Sequence, residues 1–400
     1  MSVFAGKKIV VGVTGGIAAY KAVEVCRRLV DAGAHVSPVM TKGAEHFIGR
    51  TTLSALCSEP VQSTLWDEES PIPHTKLGQG ADLVIVVPAT ARSIAAYAHG
   101  FSHDLLTNIL IATRAPVLVC PAMHTEMWDH PAVRANIELL RSRGVHIVNP
   151  ESGRLAGGDM GHGRLASPET IVAAAERILG PGDLQGVRVV VSAGGTREPI
   201  DPVRVIANRS SGKQGYAVAA EAQARGAEVT LVTTVDRPVP HGVTAIAVET
   251  AQQMYDALHS QWGSVDVLIM AAAVADFRPV VCAAEKVKKD QGVPQVLLEP
   301  TPDILQSLGA SKSAGQVLVG FAAETGNLVE NASKKLVAKN LDLVVANDVA
   351  QSGVGFQHDT NAVTFVRPGN HLESVPLSDK REIAREILDR VVELRRSLAG

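Results

Sequence analysis

The amino-acid sequence predicts an α/β protein made of two Rossmann-like, three-layer domains. Runs rich in Val, Ile and Leu alternate with helical patterns, which is typical of parallel sheets covered by helices on both faces. The pattern begins twice, with KIVVGVTGG at 8–16 and VRVVVSAGG at 187–195. A chain of 400 residues is long enough for two hydrophobic cores. The glycine- and proline-containing stretch 178–186 is the predicted boundary, so we expect domains at 1–180 and 186–400.

The predicted elements follow the same order in the two halves. Each half starts with a strand that ends in paired glycines, continues with a helix closed by a glycine, and returns through a second strand. Gly33 and Gly226 occupy the corresponding helix ends. The predicted helices lie near 17–32 and 214–225, and the further predicted strands lie within 33–41, 81–91, 116–123, 226–233, 265–276 and 316–324.

The composition excludes several classes of protein. The 38 Lys and Arg residues nearly balance the 41 Asp and Glu residues, so no strong field favours nucleic acid or an anionic membrane. The N-terminus lacks a signal-peptide pattern, and no apolar run reaches the roughly 18 residues of a membrane span. The four cysteines are scattered without a CxxC pair, which argues against a zinc site or a disulfide framework. We therefore expect a cytoplasmic protein that binds neither nucleic acid nor membrane.

In the first half, TGGIAAYK at 14–21 places two glycines before a helix. Free N–H groups and the helix dipole at such a position bind phosphate. The stretch lacks the GxGxxG fingerprint, and the second strand carries Ser37 and Thr41 rather than the acidic residue that holds an adenine ribose. These features favour FMN over NAD. The alternative is that the glycines only make a tight turn.

His74 follows two prolines, Pro71 and Pro73, directly before a predicted helix. A rigidly held histidine suits general-base catalysis near neutral pH, and the alternative is a surface or helix-capping residue. Downstream, the glycines of ESGRLAGGDMGHGRL (151–165) indicate a segment too flexible for regular structure and suited to a mobile lid. A plain surface loop is the alternative there.

In the second half, the polar connection 192–215 is much longer than the roughly 2–6 residues usual in α/β units, which indicates a functional loop. It offers Gly194 and Gly195 for the close approach of a phosphate. Asn208 supplies a neutral hydrogen-bonding group ahead of the helix start at SSGK.

Two lysine clusters in the second half predict a site for a nucleoside triphosphate. One contains Lys286, Lys288 and Lys289, and the other contains Lys335 and Lys339, one helical turn apart. An aspartate that ends an apolar run nearby, in AAAVAD, could hold a magnesium ion between phosphates. For either cluster taken alone, a solvated helix face is the alternative.

Several longer motifs carry a family resemblance. VTGGIAAYK, PHTKLGQGADLVIVVPATA and PAMHTEMW in the first half, with GGTREPIDPVRVIANRSSGKQG, AAAVADF, EKVKK and GFAAET in the second, resemble bacterial bifunctional phosphopantothenoylcysteine decarboxylase/phosphopantothenate–cysteine ligase. The likeness covers almost the whole chain, and the motif around SSGKQG is far more specific than a glycine-rich loop. It implies a flavodoxin-like flavoprotein decarboxylase domain at 1–180 and a Rossmann-like ligase domain at 186–400, which are two enzymes of coenzyme A synthesis.

The resemblance implies that the C-terminal domain joins L-cysteine to 4′-phosphopantothenate. CTP would activate the substrate carboxylate as an acyl cytidylate, Mg²⁺ would offset the triphosphate charge, and the cysteine amine would then form the amide. Asn208 matches the family residue that steadies the acyl cytidylate, and Lys286 matches a lysine needed for the first half-reaction. The positions that match family CTP-binding residues are Asp276, Lys286, Pro302, Asp303, Ile304, Leu305, Phe321, Lys335 and Lys339, of which Asp276 is also the candidate magnesium ligand.

The resemblance also implies that the N-terminal domain decarboxylates the ligation product. FMN would oxidise the thiol to a thioaldehyde, which allows the carboxylate to leave, and would then return the electrons to give 4′-phosphopantetheine. His74 matches the catalytic histidine of the family, and Met123 and His124 are the candidate substrate-binding residues. The matching FMN-binding positions are Thr14, Gly15, Gly16, Thr41, Thr90 and Met123.

Two positions depart from the family pattern. His124 in PAMHTEMW stands where the family has Asn, so an imidazole must bind the substrate carboxylate. Gly157 stands where the family lid commonly carries a cysteine that donates a proton to the enethiolate. Water, or a nearby group such as His162, is the hypothesised replacement.

The resemblance further implies a homo-oligomer. Family members build trimers of the decarboxylase domain and pair the ligase domains as dimers, which together give a higher assembly such as a dodecamer. The expected partners are otherwise small molecules: 4′-phosphopantothenate, L-cysteine and CTP. Two other functions stay open, a regulatory flavin-binding protein and an NAD(P)H-dependent flavin reductase. His74 and the complete ligase half argue against the first, and the missing GxGxxG and the EKVKK cluster argue against the second.

Overall fold

The computed structural model describes residues 2–66, 71–288, 295–324, 326–348, 358–369 and 371–399. Lys289, one of the clustered lysines, lies outside these residues. The chain divides into two compact units, Met1–Pro181 and Gly182–Gly400. Each unit has its own parallel sheet and its own core.

The first unit contains a five-stranded parallel sheet in the order β2-β1-β3-β4-β5, which is the flavodoxin-like order. The strands of this sheet are β1 (Lys8–Val13), β2 (His35–Met40), β3 (Leu83–Ala89), β4 (Val117–Pro121) and β5 (His146–Ile147). A separate two-stranded sheet contains β6 (Glu151–Arg154) and β7 (Met160–Arg164). The helices of the first unit are α1 (Tyr20–Asp31), α2 (Arg50–Leu56), α3 (Pro73–Gly80), α4 (Ala91–His99), α5 (Leu105–Ala112), α6 (Thr125–Asp129), α7 (Pro131–Ser142) and α8 (Pro168–Leu179). Short 3₁₀ turns lie at Ile17–Ala19 and Ala44–His46.

The continuous apolar runs form the central strands because both faces of this sheet are covered. All seven residues of β3 are buried. Val11 and Ile85 belong to the core on one face, whereas Val10 and Val84 belong to the core on the other. Alternate side chains of a strand point to opposite faces, so an all-apolar run serves both cores at once.

The second unit contains an eight-stranded sheet in the order β12-β11-β8-β13-β16-β17-β18-β19. The six strands from β12 to β17 are parallel, and counted along the chain they run 3-2-1-4-5-6, the Rossmann order. The strands are β8 (Arg188–Ala193), β9 (Arg197–Pro199), β10 (Val205–Ala207), β11 (Glu228–Thr233), β12 (Thr244–Ala247), β13 (Val267–Met270), β14 (Phe277–Pro279), β15 (Leu298–Pro300), β16 (Val317–Glu324), β17 (Leu343–Asp348), β18 (Thr360–Arg367) and β19 (His371–Asp379). The helices are α9 (Lys213–Ala224), α10 (Ala251–Trp262), α11 (Ile304–Ala310), α12 (Leu328–Ala338) and α13 (Lys380–Ala399).

The predicted fold class is confirmed, with three differences of detail. The expected mobile segment 151–165 is a two-stranded antiparallel hairpin, β6–β7. Its glycines at 161 and 163 lie where a Cβ would overlap Thr125 and Met123, so close packing rather than flexibility requires them. The long connection 192–215 contains the small sheet β9–β10, and the antiparallel strands β18 and β19, which the sequence pattern did not predict, extend the second sheet.

Within the described residues, no helix is both long and apolar enough to cross a membrane.

A buried ion cluster ties the start of the second unit to its last helix. Arg225, only 4% exposed, follows α9 and contacts Asp183 at 2.5 Å and Asp389 of α13 at 2.6 Å. Replacing Arg225 with Met is expected to destabilise this unit by roughly 3 kcal/mol, because it leaves two carboxylates without their cation. Urea unfolding followed by the fluorescence of Trp262 measures this change, in a background where the other tryptophans are replaced by Phe.

The matched control is an exposed ion pair of the same unit. Lys334 contacts Glu330 at 2.7 Å, and both side chains are mostly exposed. Replacing Lys334 with Met should change the free energy of unfolding by less than about 0.5 kcal/mol. Equal effects of the two substitutions would contradict a stabilising role for the buried cluster.

Candidate functional site

Each sheet has a point where the strand order reverses, and ligands of open α/β sheets bind outside the carboxyl ends of the strands at this point. In the first unit it lies between β1 and β3, and in the second unit between β8 and β13. One strand at each point, β1 in the first unit and β8 in the second, is followed by the paired glycines noted in the sequence. We call the two places the first cleft and the second cleft.

Two threonines join the loops that border the first cleft. The Thr14 hydroxyl donates to the Pro88 carbonyl oxygen at 2.7 Å and accepts the Thr90 N–H at 3.1 Å. Thr90 also caps α4 by accepting the Ser93 N–H. The loops that follow β1 and β3 are therefore held side by side, and the structure brings Thr14 and Thr90 together.

The paired glycines allow a second loop to approach the first cleft. A Cβ on Gly15 would lie 2.7 Å from the Gly43 carbonyl carbon, so only glycine permits this backbone contact. The Thr41 N–H donates to the Val13 carbonyl oxygen at 3.0 Å, which holds the end of β2 against the end of β1. Gly16 precedes a 3₁₀ turn that leads into α1, and no side chain among the described residues caps this turn. Such a helix start offers N–H groups to a phosphate.

The residues after β4 border the same cleft. The Ala122 N–H donates to the Ala89 carbonyl oxygen at 3.1 Å, which places the segment 122–125 beside the end of β3. The Met123 N–H donates to the Gly163 carbonyl oxygen at 3.0 Å, so this segment also carries the hairpin β6–β7.

His74 lies in the first turn of α3, directly after Pro73 at the helix start. Its Nδ1 atom is buried and has no hydrogen-bond partner among the residues that the structure describes. A buried polar nitrogen without a partner is costly, and such atoms mark places where a ligand or another chain supplies the missing group.

The second cleft is a cavity of about 550 Å³. Its walls come from the loop before α9, the loop after β13, the start of α11, and parts of β16, β17, β18, α12 and α13. The candidate residues that line it are Asn208, Asp276, Pro302, Asp303, Ile304, Leu305, Phe321, Lys335 and Lys339.

Lys335 of α12 and Lys339, the residue that follows this helix, line the cavity. The Lys335 Nζ atom donates to the Phe321 carbonyl oxygen at 2.7 Å, and the Lys339 Nζ atom lies 2.8 Å from a carboxylate oxygen of Asp303. Burial raises the pKa of Asp303, but the hydrogen bond from Lys339 and the amide N–H of Gln306 outweigh it and lower the pKa overall. The alternative of a solvated helix face is therefore wrong for this cluster.

Asn208 is fixed at the mouth of the second cleft. Its side-chain amide donates to the Val274 carbonyl oxygen at 2.9 Å. The main-chain carbonyl oxygen of Asn208 approaches Gly195 so closely that a Cβ on Gly195 would overlap it. Gly212, at φ +72°, turns the chain into α9, a conformation that favours glycine.

Lys286 does not line the cavity of its own chain. Its side chain is exposed, and the neighbouring Val287 N–H donates to a carboxylate oxygen of Asp201 at 3.2 Å, which anchors this segment. The role of Lys286 therefore stays a prediction.

The residues of the cavity wall that sequence reasoning missed include Asn347, Asn361 and Lys380. Lys380 begins α13, donates to the His358 carbonyl oxygen at 2.5 Å and is 7% exposed. Burial, followed by the charge of Lys213, lowers the pKa of Lys380 to about 8. The signal for Asn347 was its place near the end of an apolar run, but nothing in the sequence indicated that β18 and α13 border the cleft.

No group of three His, Cys, Asp or Glu side chains that could hold a metal ion occurs in the described part of the chain. Asp276 borders the cavity, so a cation there would depend on ligand oxygens as well.

Comparison with known proteins gives the same division of the chain. The flavoprotein family matches residues 4–180, and the DNA/pantothenate metabolism flavoprotein C-terminal domain matches residues 184–394. Among solved structures, the crystal structure of the C-terminal domain of coenzyme A biosynthesis bifunctional protein CoaBC is 42% identical, with a TM-score of 0.46, and covers 54% of this chain and 99% of that chain.

Curated relatives match along nearly the whole length. The coenzyme A biosynthesis bifunctional protein CoaBC of Vibrio vulnificus is 44% identical over 98% of both chains. The CoaBC proteins of Mycobacterium tuberculosis and Escherichia coli are each 45% identical, over 96% and 97% of both chains respectively. The chain therefore belongs to the family of coenzyme A biosynthesis bifunctional proteins.

Proposed function

We propose that this chain carries out two consecutive reactions of coenzyme A biosynthesis. The second unit joins L-cysteine to 4′-phosphopantothenate at the expense of CTP, and the first unit decarboxylates 4′-phosphopantothenoylcysteine to 4′-phosphopantetheine. The observation that carries the proposal is the second cleft, because residues scattered from Asn208 to Lys339 and matched to CTP binding line one cavity.

The chemistry of the second cleft suits activation of a carboxylate. A carboxylate does not acylate an amine until it carries a leaving group, and transfer to the α-phosphorus of CTP supplies one with release of pyrophosphate. Lys335 and Lys339 would offset the negative charge of the nucleotide, and Asp276 would help to hold Mg²⁺, which supplies further positive charge. Asn208 would orient the acyl intermediate for attack by the cysteine amine, with Lys286 acting in the first half-reaction.

The first cleft fits FMN. Thr14, Gly15, Gly16, Thr41 and Thr90 border a glycine-lined approach with an uncapped helix start, where a flavin phosphate would bind. Met123 follows the neighbouring strand β4 and would contact the flavin. When bound, FMN accepts two electrons from the substrate's thiol-bearing carbon and later returns them. His74 would remove the thiol proton as general base.

We extend the proposal to assembly and compartment. We propose the homo-oligomer of decarboxylase trimers joined by ligase dimers that the family resemblance implies, in which apolar side chains exposed on each unit would be covered. Examples are Ile17, Tyr20, Phe101, Val203 and Leu297. We place both reactions in the cytoplasm, as the sequence predicts.

The test is a mass-resolved assay of the purified protein with 4′-phosphopantothenate, cysteine, CTP and Mg²⁺. We expect 4′-phosphopantothenoylcysteine, pyrophosphate and then 4′-phosphopantetheine. A regulatory flavin-binding protein would give neither product, and a flavin reductase would oxidise NAD(P)H without using CTP. Either of those results would refute the proposal, whereas accumulation of the first product alone would refute only its decarboxylase part.

A further inference from the structure

The imidazole of His124 lies between two carboxylates beside the first cleft. His124 precedes α6, and its Nδ1 atom is hydrogen-bonded to Glu126 of that helix. Its Nε2 atom lies 3.2 Å from a carboxylate oxygen of Asp159, which belongs to the turn of the hairpin β6–β7. The side chain is 39% exposed, so protons can reach it from solvent.

The hairpin is fixed on the segment that carries His124. The Thr125 hydroxyl donates to the His162 carbonyl oxygen at 2.8 Å, in addition to the hydrogen bond between Met123 and Gly163. A Cβ at Gly161 would overlap the Thr125 side chain and a Cβ at Gly163 would overlap the Met123 carbonyl oxygen, so the hairpin packs closely on this segment. The position of Asp159 against His124 is therefore part of the fold.

The imidazole of His124 also faces Gly157, a residue of the turn that has no side chain. A Cβ on Gly157 would lie 3.4 Å from the Nε2 atom of His124. Of the turn residues 155–159, Asp159 alone carries an ionisable group. His162, the other histidine of the hairpin, has its Nδ1 atom 2.8 Å from the Ser152 hydroxyl, a partner within the hairpin itself.

Decarboxylation requires an acid at this cleft. Loss of CO₂ leaves the electron pair of the broken C–C bond on the substrate as an enethiolate, and the carbon that carried the carboxylate must then gain a proton. We propose that the imidazolium of His124 donates that proton, an inference that rests on the proposed function. One N–H bond breaks as one C–H bond forms, His124 becomes neutral, and the substrate becomes a thioaldehyde that FMN, still holding the two electrons, can reduce.

The charges around His124 suit this role. Its hydrogen bond to Glu126, with further contributions from the charges of Glu126 and Asp159, raises its pKa, which favours the imidazolium over the neutral ring. The same cation can bind the substrate carboxylate before CO₂ leaves. The acid is then already beside the carbon that it must protonate, and the two carboxylates are available to return a proton from solvent.

The experiment uses the full chain loaded with FMN and supplied with 4′-phosphopantothenoylcysteine under anaerobic conditions. CO₂ release by the parent protein is measured first, because its absence would refute the decarboxylase function itself. In His124→Gln we expect CO₂ release in a single turnover to stay within about tenfold, while 4′-phosphopantetheine falls about 100-fold. The enethiol, two hydrogens lighter, should accumulate, and the flavin absorbance should stay bleached.

Three further measurements make the result specific. Gly157→Cys in the His124→Gln background places an acidic thiol at the same spot and should restore 4′-phosphopantetheine. In flavin-free protein, Asp159→Asn should lower the pKa of His124 measured by NMR titration. His35→Gln, at the first residue of β2 and so at the opposite edge of the sheet, is the matched control.

Two outcomes would overturn the proposal. If CO₂ release and 4′-phosphopantetheine fall together in His124→Gln, this residue only binds substrate. If the enethiol accumulates in His162→Gln and not in His124→Gln, the hairpin histidine is the donor.

Discussion

Replacing His74 with Gln is expected to lower decarboxylation about a thousandfold, the loss typical of removing a general base. Glutamine has a similar length and can form hydrogen bonds, but it cannot take a proton. Among the described residues the buried Nδ1 atom has no hydrogen-bond partner, so this atom is available to a bound substrate. Formation of 4′-phosphopantetheine from 4′-phosphopantothenoylcysteine measures the effect, and flavin absorbance shows that FMN stays bound.

The control is His35→Gln, which removes an exposed histidine paired with Glu59. Ligation should be unchanged in both variants, because the second cleft belongs to a separate unit. A loss smaller than tenfold in His74→Gln would show that another group removes the thiol proton.

Replacing Asn208 with Ala is expected to lower ligation by roughly 100- to 1,000-fold, the usual effect of removing one hydrogen-bond donor from a reacting acyl group. The side-chain amide is already oriented by Val274, so the donor is in place before the acyl intermediate forms. Amide formation is measured with cysteine, and acyl cytidylate formation is measured separately by release of pyrophosphate. We expect the amide to be lost more strongly than the pyrophosphate.

Gly195→Ala tests the same position without altering Asn208. The added Cβ would overlap the main-chain carbonyl oxygen of Asn208 and displace this residue. Ligation should therefore also fall, by about 100-fold. Gly263→Ala is the control, because its Cβ would have no neighbour within 4 Å. Normal ligation by Gly195→Ala would show that the position of Asn208 is not critical.

Four strands of each main sheet could be predicted because apolar runs buried on two faces have few alternatives. The prediction for 265–276 was too long, since β13 ends at Met270 and the alanines that follow line the second cleft. Alanine is apolar enough to extend a strand pattern and small enough to border a ligand cavity. Composition alone does not separate these two roles.

The candidate site could be predicted only where its residues lie in contiguous motifs. SSGK and PDIL can be recognised as short motifs in the sequence. Asn361 and Lys380, by contrast, reach the cavity because β18 pairs with β17 and α13 follows β19. Such placements depend on the topology of the whole sheet. The hairpin β6–β7 was mistaken for an irregular segment because glycines that permit close packing and glycines that prevent regular structure look alike in sequence.

The division near Pro181 has a genetic consequence. Among the described residues, each of the four hydrophobic cores lies within one unit or the other, and each main sheet takes its strands from a single unit. A stop codon and a new start codon placed there would leave two shorter polypeptides, each able to bury its own apolar residues. We therefore expect that two separate genes, one for each unit, could replace this single gene.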